Sequence, residues 1–200
     1  MIRLGLTGSI GMGKSTTARL FADAGIPTND ADAVVHELYA GAAAPLVDAA
    51  FPGTMKDGVV DRQELARQLA ADPAGFKILE GIVHPLVRER ERQFLEQARA
   101  KGADIVVLDI PLLVESKAES RVDKIVVVSC DPQIQRTRVL ARPNMTEDKF
   151  NMILSRQMPD AEKRSRADYV IDTGHGVEVA RERVEEIIAE LRGRTAFQGN

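Results

Sequence analysis

The segment Gly8-Ser9-Ile10-Gly11-Met12-Gly13-Lys14-Ser15 restricts the possible folds of this chain more than any other stretch. It fits G-x-x-x-x-G-K-[ST] in full, a spacing that works only between a buried strand and a helix. Ile2 to Thr7 reads as that strand, and Lys14 to Ala24 carries apolar residues at helical period, with Gly25 and Pro27 as stop signals. Gly8, Gly11 and Gly13 allow a tight turn that brings backbone N–H groups close to phosphate oxygens, and the helix N-terminus behind them favours an anion. In such a loop Lys14 reaches the β and γ phosphates of a nucleotide, the Ser15 hydroxyl ligates Mg²⁺, and Thr16 assists from the same turn. A glycine-rich turn that binds nothing is the alternative, and the agreement of the two flanks argues against it.

The remaining chain predicts an α/β fold. A short second strand is expected at Ile26 to Asn29, and apolar runs at Ile105 to Leu108, Ile125 to Ser129 and Tyr169 to Ile171 supply three more. Strands alternating with helices imply a mainly parallel five-stranded sheet covered on both faces, a three-layer arrangement. From Asp32 to Lys101 the composition is helical, with breaks at Pro52-Gly53, Asp57-Gly58 and Asp72-Pro73, weak hairpin character over Phe51 to Val60, and Asp61 as a cap. A charged helix is expected to begin near Pro85 and to end at Gly102. The organisation predicted is a nucleotide-binding core of residues 1–31, 102–137 and 159–192, a helical acceptor-binding insert of 32–101, a helical lid of 138–158, and a frayed tail of 193–200.

Net charge of −3 over 200 residues excludes a general polyanion binder held by bulk positive charge, so no nucleic-acid partner is expected and phosphate binding must be local. One cysteine, Cys130, excludes an intrachain disulfide framework and any multi-cysteine metal site. No signal peptide is read at the start, and no run approaches the roughly 18 apolar residues of a membrane span. A cytoplasmic protein with no membrane partner is the expectation, monomeric or a small homo-oligomer.

A nucleotide site does not name a reaction. A GTPase switch should carry N-K-x-D, which does not occur, and Asp72-Pro73-Ala74-Gly75 matches D-x-x-G only within helical sequence. Phosphoryl transfer to a hydroxyl needs a positioned carboxylate. Asp30 and Asp32 follow the second strand, where open α/β sheets bind ligands. Asp30 is equally readable as a helix N-cap with Asp32 in the first turn, and Asp32 is the better candidate for the base. Asp109 ends another strand, with Pro111, Leu112, Leu113 and Glu115 close behind, and is suited to orienting Mg²⁺ through water or to touching the acceptor. Arg136 to Arg166 holds eight Lys or Arg against four Asp or Glu, in helices broken at Arg142-Pro143-Asn144, with Thr146 as an N-cap. Arg142, at the break, is singled out as a lid cation that meets charge on the transferring phosphoryl group.

With these residues in place, the chain resembles the dephospho-CoA kinase family, of the P-loop nucleoside-monophosphate-kinase-like group, over nearly its whole length. The likeness rests on GSIGMGKS, NDADAVVHELYAG, DGVVDRQELA, His84-Pro85, DIPLLVE from Asp109 to Glu115, QRTRVLAR, SRQMP around Gln157, and KRSRADYVIDTG. It implies a P-loop NTPase fold and ATP-dependent phosphorylation of the ribose 3′-hydroxyl of dephospho-CoA, the last step of coenzyme A synthesis. It places ATP phosphates on Gly11, Met12, Gly13, Lys14, Ser15 and Thr16 and makes Asp32 the base. It assigns acceptor contacts to His84 and to the segment Asp109 to Glu115, and lid charge to Arg138 and Arg142. Asp172, Thr173 and Gly174 fall near the adenine of ATP. Family members often have Asn where Thr173 stands and Phe where Val114 stands. Another P-loop small-molecule or nucleoside monophosphate kinase, and a nucleotide-dependent regulatory ATPase or GTPase, are the competing readings.

Overall fold

The computed structural model describes residues 1–197. Its strands are β1 (Ile2–Thr7), β2 (Thr28–Asp30), β3 (Met55–Lys56), β4 (Val59–Val60), β5 (Ile105–Asp109), β6 (Lys124–Ser129) and β7 (Tyr169–Asp172). Its helices are α1 (Lys14–Asp23), α2 (Ala31–Tyr39), α3 (Ala44–Ala50), α4 (Arg62–Ala71), α5 (Gly75–Ala100), α6 (Pro132–Leu140), α7 (Glu147–Ser155), α8 (Asp160–Ser165) and α9 (Val177–Phe197). The chain divides into two compact units, one of residues 1–29 and 98–200 and one of residues 30–97.

In the first unit a five-stranded sheet runs in the order β2-β5-β1-β6-β7. β1 pairs in parallel with β5 and with β6, and β6 with β7. The central strands are buried on both faces, which is why they read as continuous Val, Ile and Leu runs rather than as alternation. On one face Leu4, Leu6, Ile105, Val107, Val126 and Val128 meet Phe21 and Leu20 of α1 and the stripe Ala180, Val184, Ile187, Ile188 and Leu191 of α9. That stripe has helical spacing, so one face of α9 covers the sheet while the other carries its charges. On the opposite face Leu113 and Val122 press so close to Gly5 that a Cβ there would lie 2.7 Å from the Leu113 side chain. The architecture is an α/β three-layer fold, as the sequence predicts.

The second unit is helical around a small core of Leu38, Ala43, Ala44, Val47, Phe51, Val60, Leu65 and Leu69. β3 and β4 form the hairpin hinted at by Asp57-Gly58, where φ is 51° and 79°, the left-handed pair that a tight two-residue turn requires. Asp61 caps α4 by accepting from the amides of Gln63 (3.0 Å) and Glu64 (3.1 Å).

Three expectations are corrected. The second strand is Thr28–Asp30 rather than Ile26 to Asn29, and Ile26 is instead a buried core residue. No helix starts at Pro85: α5 begins at Gly75 and runs through Pro85 without a break. A proline ring crowds the residue four positions earlier, and that residue is Gly81, whose added Cβ would itself meet nothing within 4 Å. The last helix also continues to Phe197 where a tail is expected from 193, while 198–200 lie outside the described residues. No helix among the described residues is long and apolar enough to cross a membrane.

The burial of α1 against the sheet is what fixes the loop before it. Phe21 has no exposed surface, so Phe21→Ala should lower unfolding free energy by about 3–5 kcal/mol, the usual cost of such a cavity. Urea denaturation reads this; a loss under about 1 kcal/mol would mean that α1 is not anchored through this ring.

Candidate active site

The loop between β1 and α1 has the geometry of an anion cradle. Gly13, at φ 92°, precedes α1, and no side chain caps the helix start. Among the described residues the amides of Gly11, Gly13, Lys14, Ser15 and Thr16 have no acceptor; the first amide of the helix that does is Thr17, which donates to Gly13 O at 3.0 Å. Unpaired amides at an uncapped helix start are where a phosphate binds. Gly11 has φ 77°, and a Cβ there would come within 2.5 Å of Val139, so both the backbone conformation and the space demand glycine.

Side chains from distant segments hold this shape. The Ile10 peptide is gripped at both ends: its N–H donates to Gln157 Oε1 (3.1 Å) and its carbonyl accepts from Gln135 Nε2 (2.7 Å). The buried Thr173 hydroxyl donates to Met12 O at 2.8 Å and accepts from Arg138 Nη1 at 3.0 Å, while Arg138 Nη2 donates to Thr173 O at 2.7 Å. Arg138, expected as lid charge, is thus the last-turn arginine of α6 tied to the end of β7. Asp172 accepts from the Gly174 amide at 2.7 Å, forming a local turn. Arg142 lies beyond α6, exposed, and its guanidinium has no hydrogen bond or ion pair among the described residues.

Lys14 points to Asp109. Its Nζ lies 2.6 Å from Asp109 Oδ1, and the carboxylate side chain is only 2% exposed. Parallel pairing sets this up, because β1 places Leu6 beside Asp109 at the end of β5. The loop after β5 is pinned to β1 by the Thr7 hydroxyl, which donates to Pro111 O at 3.0 Å. Of the expected acceptor contacts in that loop, Leu112 is exposed, Pro111 is half-buried, and Leu113 has no exposed surface because it packs beneath Gly5. Glu115 accepts from the Met158 amide (3.0 Å) and pairs with Lys163 Nζ at 2.7 Å, the lysine being wholly buried. Burial opposes the charge on Glu115, but the Lys163 ammonium and the Met158 amide outweigh it and hold the carboxyl below its ordinary range.

In the unit of residues 30–97, Asp30 is the N-cap of α2, accepting from the amides of Asp32 (2.9 Å) and Ala33 (3.1 Å). Asp32, in the first turn, has an exposed carboxylate with no hydrogen bond or ion pair among the described residues, and it lines a groove of about 480 Å³ with Tyr39, Arg62, Leu65, Leu69 and Leu79. His84 is exposed and helical within α5, although a following proline disfavours the helical conformation. Sequence reasoning missed the partners Gln135, Gln157 and Lys163 and the Lys14–Asp109 pair. Gln157 and Lys163 sit inside motifs already noted, but nothing local marks what they touch.

Comparison with known proteins bears on the reaction. A family model described as dephospho-CoA kinase matches residues 2–178. A protein named dephospho-CoA kinase from Rhizobium etli is 70% identical over 196 residues, covering 98% of this chain and 97% of that one. The crystal structure of TT1252 from Thermus thermophilus superposes with a TM-score of 0.81 at 35% identity, covering 95% of this chain and 97% of that one. The dephospho-CoA kinase from Campylobacter jejuni gives 0.72 at 24% identity, with coverage of 96% and 98%, a likeness of fold. The match of family and relatives across almost the full chain, on a fold whose phosphate loop is intact, makes this chain a member of the dephospho-CoA kinase family, a phosphotransferase of coenzyme A synthesis.

Proposed function

We propose that the enzyme takes its phosphoryl group from ATP seated on the Gly11 to Thr16 amides and transfers it to the ribose 3′-hydroxyl of dephospho-CoA, with Asp32 receiving the hydroxyl proton. The observation that carries this reading is the set of unpaired amides at the start of α1 beside the Lys14 ammonium. Phosphoryl transfer needs little covalent help from protein and much fixed positive potential around the moving group, and that is what this arrangement offers.

Each residue then has a task. Lys14 binds the β and γ phosphates, and Asp109 delivers its ammonium to the loop before nucleotide arrives. Asp32, whose carboxylate has no protein partner, is available to accept a proton as the ribose oxygen attacks phosphorus. Arg142, equally unpartnered, meets charge on the transferring group. Arg138 and the segment Asp172, Thr173 and Gly174 shape the adenine end. Acceptor contacts fall to Asp30, His84, Pro111 and Leu112, while Glu115 with Lys163 holds the loop that carries them. The residues fit a Mg²⁺ ion: the Ser15 hydroxyl is exposed at the cradle with no partner among the described residues, while no cluster of three acidic, His or Cys side chains there forms an independent metal site. Such an ion, when bound, neutralises β,γ-phosphate charge. A cytoplasmic setting suits the single cysteine, Cys130, whose thiol is free and pushed up by burial.

Three measurements test this. ATP consumption should be fast with dephospho-CoA and near background with AMP, shikimate or buffer alone; turnover confined to one of the latter would reject the substrate. Asp32→Asn should lower kcat at least about a hundredfold, the lower scale for a positioned base, while ATP affinity stays nearly constant; unchanged kcat would leave Asp32 as no more than an acid in the first turn of α2. Lys14→Ala should cut kcat/KM for ATP by removing the phosphate contact, and wild-type turnover in that variant would refute the placement of the nucleotide.

A further inference from the structure

The phosphate loop is held from behind by its carbonyls. The Ile10 carbonyl accepts from Gln135 Nε2 (2.7 Å) and the Met12 carbonyl from the Thr173 hydroxyl (2.8 Å). The Gly13 carbonyl accepts from the Thr17 amide (3.0 Å) and from the Thr17 hydroxyl (3.2 Å). The amides that follow these three carbonyls in the chain are those of Gly11, Gly13 and Lys14, and none of them has an acceptor among the described residues. The other two amides of the turn are arranged the opposite way. Ile10 N–H donates to Gln157 Oε1 (3.1 Å) and Met12 N–H to the Ser9 carbonyl (3.1 Å), so neither is offered to a ligand.

This alternation acts through covalent geometry. A peptide unit is planar, and since none of those in the described residues is cis, each carbonyl is antiparallel to the N–H of the next residue. A donor that fixes a carbonyl on one side therefore fixes the direction of the following amide on the other. Gly11 and Gly13 depend on this more than their neighbours do. Lys14, Ser15 and Thr16 are oriented by α1 itself, whereas the two glycines have left-handed backbones, with φ 77° and 92°, and no Cβ to narrow their rotation.

Gln135 is placed for this task. It lies one turn before Val139 on α6, so both face the same way. A Cβ added to Gly11 would meet Val139 at 2.5 Å and the Gln135 side chain at 3.3 Å, which puts α6 against the back of this glycine. Gln135 is only 5% exposed. Methionine would fill the same space, and what glutamine adds is the donor that holds the Ile10 carbonyl.

We propose that Gln135 and Thr173 are positioning residues for phosphoryl transfer: Gln135 turns the Gly11 N–H, and Thr173 the Gly13 N–H, toward the phosphate oxygens of the nucleotide. The inference rests on the seating of ATP on the Gly11 to Thr16 amides. Amides aimed in advance meet the phosphates without reorganising, the condition under which fixed dipoles stabilise charge best.

Nuclear magnetic resonance reads each amide separately. Ile10-Gly11 and Met12-Gly13 are the only Ile-Gly and Met-Gly pairs in the sequence, so ¹³C-carbonyl isoleucine or methionine combined with ¹⁵N-glycine assigns the two signals. In the wild type, Mg²⁺ with the β,γ-imido analogue of ATP should move both amide protons downfield, as charge-assisted hydrogen bonds form. In Gln135→Met the Gly11 signal should lose most of that shift while Gly13 keeps it, and in Thr173→Val the pattern should reverse. Turnover should follow: in either variant kcat/KM for ATP falls about tenfold, the low end for one charge-assisted hydrogen bond, with KM for dephospho-CoA within about twofold of wild type. A Gly11 shift that survives intact in Gln135→Met would overturn the proposal. So would equal fading of both signals in either variant, or a rise in KM for dephospho-CoA as large as that for ATP, since general loosening of the fold predicts both. Should Gln135→Met fail to fold, Thr173→Val decides by the same criterion with the signals exchanged. No shift of either signal in the wild type would sink the seating of ATP itself, whereas shifts retained in full by both variants would sink only the aiming.

Discussion

A helix that starts without a side-chain cap leaves several amides facing outward, and α1 starts that way because Gly13 occupies a left-handed conformation that side chains rarely adopt. Four other helix starts are closed: Asp30, Asp61, Asp131 and Thr146 each bond amides of the helix they precede, whereas the short helices α3 and α8, like α1, begin without a side-chain cap. Where a cap is present the amides are satisfied internally; where glycine replaces it they remain free for a ligand, at a cost of roughly a kilocalorie per missing cap. The sheet beneath and α9 beside α1 supply the burial that offsets that cost.

Local features were legible for physical reasons that operate over a few residues. Strand β1 has the bounds that its apolar run implies, the Asp57-Gly58 turn follows from two residues that accept positive φ, and the Asp72-Pro73 boundary and the caps at Asp30, Asp61 and Thr146 follow from side chains bonding amides two or three positions on. Pro85 was misread by the same local logic. A proline penalises a helix interior by about 3 kcal/mol, but the length of α5 and the packing of Leu79, Ile82, Leu86 and Val87 against the small helical core outweigh it. That balance is decided by tertiary burial, which a window of a few residues does not contain.

The site shows the same division. Lys14, Ser15 and the glycines announce themselves by spacing. The pair of Lys14 with Asp109 joins residues 95 positions apart and exists only because β5 lies beside β1 in the sheet. Sequence alone placed Asp109 at a strand end but left its partner open. A carboxylate that buried is costly unless paired, and here the pairing aims a lysine at the cradle, so one ion pair both satisfies the sheet end and stations the charge that a phosphate tail would take over.

Residue 173 shows what such a loop requires of a residue that holds its shape. The Thr173 hydroxyl is bonded on both sides, donating to Met12 O and accepting from Arg138. A residue here must therefore present one donor and one acceptor a short distance from the backbone. Threonine does so with a single oxygen; asparagine would do so with an NH₂ to donate and a carbonyl to accept. Alanine would provide neither and valine only bulk, leaving the Met12 carbonyl and one Arg138 N–H unmatched next to the cradle. The constraint at this position is thus on hydrogen-bond valence rather than on residue identity. Because the Cβ of any residue at Gly13 would meet Thr173 at 3.0–3.1 Å, that constraint acts directly on the turn from which the free amides project.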